Sequence, residues 1–291
     1  VALLDPTTRD AVLAWGDRQL RDLPWRSTRD PWAVLVSEVM AQQTGVDRVV
    51  PKWHAFLERW PDPTALAARP LGDLLSLWSG LGYPRRARNL HLAAQQMVDE
   101  HGGAVPDDLD ALLRLPGVGP YTARAVLAFA FERDVGLVDT NIARVLARVG
   151  GASLRPRAAQ DAADGLVPAD RGWLWNQSLM ELGATFCRPT PRCVGCPAHP
   201  DCAWATAGRP DPDPAAGSAG VSRRQAPFAG SDREARGRVL AALVDAPLAD
   251  DAARAIAAGV VESGVRAEQV VDGLRRDGLV VRREDGTLAL P

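Results

Sequence analysis

Through roughly the first two hundred positions, apolar residues return at three- and four-residue spacing, as in AVLVSEVM, LGDLLSLW, LHLAAQQMV and ARAVLAFAF. That is the period of a helix with one buried face. Pro, Gly and Asp interrupt it at short intervals, with turns at Arg29 to Pro31, Trp60 to Pro63 and Gly102 to Pro106, so many short helices are predicted instead of a few long ones. No repeat of fixed period and no heptad seam is visible. A mainly α body follows, and at 291 residues two lobes with an appendage are the natural expectation.

No apolar run reaches the ~20 residues of a membrane span. The opening VALLDPTTRDAV also lacks the basic segment, apolar stretch and cleavage site of a secretory signal. A soluble, cytoplasmic protein with no membrane partner is expected. The formal net charge of -2 argues against coating nucleic acid through bulk charge, while leaving room for a local basic face. Lys52 is the only lysine. Every other fixed side-chain cation is arginine, which suits phosphate and base edges but also follows from genomic base composition. Any lysine nucleophile would have to be Lys52.

From about Thr206 to Gly230 the chain runs TAGRPDPDPAAGSAGVSRRQAPFAG, too poor in large apolar residues to stay ordered alone, and reads as a linker. Beyond it Ser231 and Glu234 form a capping-box signature opening a helix through Leu243. Further helices are expected at Ala252 to Val261 and Ala267 to Arg276. Asp285-Gly286 between LVVRR and TLAL is a hairpin signal. Three helices and a hairpin resemble a small winged-helix domain of α+β type over 231–291. Its Arg275, Arg276, Arg282 and Arg283 read as a solvated face.

Three constellations carry chemistry. In LPGVGP, between a short helix over Asp107 to Leu115 and another over Tyr121 to Arg133, Gly117 and Gly119 leave backbone N–H groups open beside a helix N-terminus. That suits a phosphate, and equally an ordinary tight turn. All four cysteines, Cys187, Cys193, Cys196 and Cys202, fall in one C-x5-C-x2-C-x5-C run, which in an intracellular chain points to metal, either tetrahedral zinc or a cubane cluster. Arg188 and Arg192 lie in the same loop. Glu38 sits among apolar neighbours in SEVMAQQT, and Asp139 precedes a helix in GLVDTNIARV. A carboxyl in an apolar pocket can act as an acid while a second, ionised one supports positive charge, the pair that N-glycosidic cleavage needs. Asp139 also reads as a plain helix N-cap.

RDLPWR at 21 to 26, SEVMAQQT at 37 to 44, GLGYPRRARNLH at 80 to 91, LPGVGPYTARAVL at 115 to 127, VDTNIARVLAR at 138 to 148 and NQSLMELGATFC at 176 to 187 together resemble MutY-type adenine DNA glycosylases. The likeness covers roughly residues 10 to 205. It implies a two-lobed helix-hairpin-helix glycosylase fold with an iron-sulfur loop. The lobes are expected at 1–29 with 140–205 (iron-sulfur) and at 30–139 (six helices), followed by the linker 206–230 and the domain 231–291. It implies a monomeric, nucleoid-associated enzyme of base excision repair acting on duplex DNA with an adenine mispaired with 8-oxoguanine or guanine.

Residue by residue, the resemblance makes Glu38 the acid that protonates adenine and Asp139 the carboxylate that stabilises the oxocarbenium ion, with water as final nucleophile. Tyr121 stands where strand-cutting relatives carry a Schiff-base lysine, which implies a monofunctional enzyme, and Tyr121 and Asn141 support the carboxyls. Leu23, Trp25, Arg26 and Glu181 resemble the adenine pocket. Gln43 and Tyr83 resemble residues that wedge into the base stack as the target flips out, and Thr44 and Leu81 fall where the family contacts the opposite base. Gly117 and Gly119 keep their phosphate role, and the cysteines become ligands of a [4Fe-4S] cluster, with zinc as the alternative.

Three features depart from the family: a first cysteine gap of five where six is usual, Pro84 where a second tyrosine is common, and a segment 231–291 that reads as too short and wrongly patterned for the Nudix-like C-terminal domain that reads 8-oxoguanine. The competing readings are a bifunctional endonuclease III-like glycosylase/lyase, a thymine or uracil mismatch glycosylase, and a non-catalytic iron-sulfur protein that recognises mismatched DNA by shape.

Overall fold

A computed structural model describes residues 3–221 and 226–291. The chain begins with α1 (Pro6–Gln19), followed by a 3-10 turn at Pro24–Arg26. It continues through α2 (Pro31–Ala41), α3 (Val46–Arg59), α4 (Pro63–Ala67), α5 (Leu71–Trp78), α6 (Arg85–His101) and α7 (Leu109–Arg114). Then come α8 (Pro120–Phe129), α9 (Thr140–Gly150), α10 (Pro156–Leu166), α11 (Gly172–Thr185) and α12 (Ala203–Thr206). It ends with α13 (Asp232–Asp245), α14 (Asp250–Ala258), α15 (Gly264–Arg276) and the antiparallel strands β1 (Val281–Arg282) and β2 (Leu288–Ala289). Local chemistry accounts for many helix starts. Asp5, Asp62, Asp108, Asp139 and Ser231 each accept a backbone N–H in the first turn, and Pro6, Pro63, Pro120 and Pro156 occupy positions where a missing N–H costs nothing.

Two compact units result, Val1–Pro31 with Gly119–Arg224, and Trp32–Val118 with Gln225–Pro291. In the first, α11 packs against α1 and α9 around Trp175, Leu146, Leu179 and Leu182, all buried. In the second, α4 and α5 pack on α6, and the Phe56 ring meets Trp32 tilted at 5.9 Å and Trp60 edge-on at 5.1 Å. Trp32 donates its indole N–H to the Trp60 carbonyl at 3.0 Å. Among the described residues no helix is long and apolar enough to cross a membrane.

The three C-terminal helices and hairpin form within a few residues of their expected positions. By packing, the boundary near the hairpin falls at 118/119, where the sequence suggests 139/140: α8 packs against α11 and is buried with the first unit. Residues 231–291 also join the second unit: α13 packs on α5, and the Gly72 N–H donates to the Pro291 carbonyl at 2.6 Å. Of the expected linker, 222–225 lies outside the described residues, but 206–221 is docked. Asp213 pairs with buried Arg148 at 2.6 Å, Ser153 donates to the Pro214 carbonyl, and Ala215 and Ser218 are buried. Composition showed only that this segment could not order itself; a buried guanidinium of α9 supplies what orders it.

Candidate functional site

Asp139 is delivered by an extended segment that two polar side chains hold in place. The Asn176 amide donates to the Val135 carbonyl and accepts the Leu137 N–H, while Asp164 accepts the Gly136 N–H and the Arg124 guanidinium. At the start of α9, Asp139 then accepts the Asn141 and Ile142 N–H groups on one oxygen, at 3.0 and 2.7 Å, and the Asn141 side-chain amide on the other at 2.9 Å. It is therefore an N-cap, with the second oxygen still holding acceptor capacity. Burial pushes this carboxyl above the ordinary aspartate range, opposed by the Ile142 and Asn141 donors and the charge of Arg144. Asn141 is itself held by Arg144, which donates to its side-chain oxygen at 2.7 Å and to the Cys187 carbonyl at 2.8 Å. Gly183 makes this approach possible, since a Cβ there would lie 2.5 Å from the Asn141 Cβ. Tyr121 is half-buried in the first turn of α8.

In the same unit Arg26, in the 3-10 turn, donates to Glu181 at 3.0 Å and to Gln177 at 2.8 Å, and Arg21 donates to the other Glu181 oxygen at 2.7 Å. The Glu181 and Arg26 side chains are only 5% and 9% exposed. Leu23 is buried and Trp25 half-buried beside them in sequence. Arg26 and Glu181 were expected together; Gln177, one turn before Glu181 on the same helix, was not. Such a constellation offers fixed donors and acceptors to a flat polar heterocycle.

All four cysteines line one small pocket, walled by Leu182, Phe186 and Trp204. Arg148, 2% exposed, donates to the Cys187 sulfur at 3.4 Å and to the Arg188 and Pro189 carbonyls, and lies 4.9 Å from the Trp204 ring centroid. Burial pushes the Cys196 thiol up to about 11 and raises Cys187 and Cys202. Among the described residues no three His, Cys, Asp or Glu groups gather closely enough for a single metal ion. Four thiols around one apolar-walled cavity, with a buried guanidinium to offset thiolate charge, fit a cluster ligand set. Arg188 and Arg192 are exposed on this loop.

Of the remaining candidates, all but Gly119 belong to the second unit. Glu38 is half-buried on α2 between buried Ser37 and Val39. Thr44 donates its hydroxyl to the carbonyl of buried Leu81 at 3.0 Å, tying two loops together. Gln43 and Tyr83, at matching places in those loops, both have left-handed backbones (φ 55° and 49°), a conformation that costs non-glycine residues energy. The residue that holds both loops is Arg86, to which no role had been assigned. Its guanidinium donates to the Val39, Met40, Gln42, Leu81 and Gly82 carbonyls and to the Thr44 hydroxyl. Burial pulls it down to about 10, still charged at neutral pH. At the hairpin, Gly117 has φ 79°, and a Cβ there would meet the Asn89 Cβ at 2.7 Å. Gly119 caps α8 in extended conformation, so any residue fits its backbone.

Residues 36–168 match the family model described as HhH-GPD superfamily base excision DNA repair protein. An adenine DNA glycosylase of Mycobacterium tuberculosis is 42% identical over 288 residues, taking in 96% of this chain and 92% of that protein. The chain belongs to the adenine DNA glycosylase family. Coverage that wide includes most of the C-terminal helices. Among solved structures, a thermostable thymine-DNA glycosylase shares the fold with a TM-score of 0.66 and 30% identity, over 68% of this chain and 95% of that one. A non-covalent endonuclease III–DNA complex shares it at 0.59 and 25%, over 67% and 94%. The two-lobed helix-hairpin-helix glycosylase fold expected from the sequence is thus the fold observed.

Proposed function

We propose that this protein removes adenine opposite 8-oxoguanine or guanine in duplex DNA, acts as a monomer and leaves the strand uncut. The observation that carries this reading is the likeness along nearly the whole chain to an adenine DNA glycosylase. The Arg26–Gln177–Glu181 constellation supports a purine with donor and acceptor edges. In this reading Glu38 protonates the departing base. Asp139, held by Asn141 and supported by Tyr121, stabilises the positive charge on the sugar until water adds. Leu23 and Trp25 wall the base. Gln43 and Tyr83 fill the stack, Thr44 and Leu81 meet the opposite base, and Gly117 and Gly119 hold phosphate.

Cys187, Cys193, Cys196 and Cys202 would hold a [4Fe-4S] cluster. Bound there it would brace the loop 187–202 and take no part in base release. Strand cleavage through a Schiff base would require an amine where Tyr121 stands, and Lys52, the sole lysine, belongs to α3.

A second reading, a thymine or uracil mismatch glycosylase, is favoured by the structural likeness to a thymine-DNA glycosylase. Base release from duplexes with adenine opposite 8-oxoguanine, adenine opposite guanine, thymine opposite guanine and uracil opposite guanine tests both. Adenine release that needs alkali to break the strand is expected. Release of a pyrimidine alone overturns the substrate, and a borohydride-trapped covalent adduct overturns monofunctional action.

A further inference from the structure

The C-terminal helices grip the turn that carries Tyr83 at two points. Arg233, in the first turn of α13, donates from Nη1 to the Tyr83 hydroxyl at 2.8 Å, and its guanidinium carbon lies 5.9 Å from that ring's centroid. Its Nη2 donates to the Ala226 carbonyl at 2.7 Å, so the guanidinium is fixed from behind. Two residues on, at the start of α6, Arg85 pairs with Asp277, the C-cap of α15, which also pairs with Arg236 of α13. From the body side Arg86 lies 5.5 Å from the Tyr83 centroid. Tyr83 is thus a half-buried aromatic on a left-handed backbone, with a guanidinium on its hydroxyl. Beside it opens a groove lined by Arg85, Arg236, Phe228 and Asp277, with Phe228 61% exposed.

A tyrosine has one polar atom with which its orientation can be set at a distance from its backbone, and here that atom is used by a residue outside the catalytic body. Strained backbones persist only where their surroundings over-determine them. A side chain that must be ordered during binding costs about 0.5–1.5 kcal/mol unless it is ordered beforehand.

We propose that Arg233 is a positioning residue for Tyr83, by which the C-terminal helices pre-set the side chain that enters the base stack. This rests on the role given to Tyr83 above. The appended segment is then part of the flipping apparatus and not only a brace on α5.

The test compares the full-length wild type, Arg233→Ala, Tyr83→Phe, their double variant and Asp277→Asn. Three quantities are measured: single-turnover adenine release from an adenine–guanine mispair, fluorescence of 2-aminopurine next to the mispair as a report of unstacking, and thermal stability. Arg233→Ala is expected to lower the rate about 3- to 10-fold, the span of one pre-ordered side chain, and to reduce the fluorescence rise. Tyr83→Phe should reproduce that loss, and the double variant should add nothing to it. Asp277→Asn, which loosens the second grip without touching the tyrosine hydroxyl, should lower thermal stability more than unstacking.

Wild-type rate and fluorescence in Arg233→Ala, or full additivity with Tyr83→Phe, overturns the proposal. So does an equal loss of unstacking in Asp277→Asn. A wild type that releases no adenine from any duplex overturns instead the function proposed above, while the fluorescence still reports on the Arg233–Tyr83 pair.

Discussion

Asp139 shows how one carboxylate serves two ends. As the N-cap of α9 it takes two backbone N–H groups, an arrangement worth about 1 kcal/mol to the helix, yet burial leaves its proton affinity raised. A folded pKa above the unfolded value means that the group's stabilising contribution is present below the unfolded value, near 4. That contribution is lost as pH rises through the folded one. At neutral pH the ionised form is therefore a cost to stability. Asp139→Asn, which keeps an oxygen for the cap, should abolish base release while melting no lower than wild type at pH 8. Its advantage should shrink as the pH falls toward the ordinary carboxylate range; an advantage that grows on acidification contradicts this. Glu38→Gln should slow single-turnover release by about 10²- to 10⁴-fold, the usual weight of a general acid, with gel-shift affinity for a mispaired duplex kept. Both carboxylates could be proposed from the sequence because each lies in a dense local motif. Asn176, Gln177 and Arg86 were not, because a polar residue on an amphipathic helix does not declare whether it faces solvent or a backbone from another element.

The elements that matter most are the two loops joined by Arg86. Neither loop has regular structure to hold it, and one guanidinium gathers carbonyls from the end of α2, from Gln42 and from Leu81 and Gly82. Arg86→Ala removes the donor from several partly buried carbonyls at once and should cost about 3 kcal/mol in a denaturant titration. Arg86→Lys should recover little, because an ammonium cannot fan its donors over both loops. A loss near zero would mean that the loops hold themselves. The cysteine loop is braced on a similar plan by Arg148, bonded to the Arg188 and Pro189 carbonyls and to Asp213. Arg86 and Arg148 lie inside motifs, GLGYPRRARNLH and VDTNIARVLAR, that identified the family without disclosing what these arginines do.

At the scale of the whole chain, the C-terminal residues are bound into the second unit through α13 on α5, the Pro291 carbonyl on Gly72 and Asp277 on Arg85. Deleting 226–291 should therefore speed amide exchange in α5 and at the start of α6 while leaving α9 and α11 protected; unchanged exchange in α5 would show that the segment adds no stability there. What the sequence by itself determined is what depends on neighbours a few positions away: the helical period, the Asp and Ser caps, the turn glycines and the crowding of four cysteines into one loop. The tertiary structure alone decided which arginines are buried, that Asp213 ties down a segment unable to order itself, and that Arg233 meets Tyr83 across 150 positions. Helix formation is governed by bonds between i and i+4, whereas burial of a charge becomes tolerable only when distant chain supplies its partners, and no local pattern encodes which partners those are.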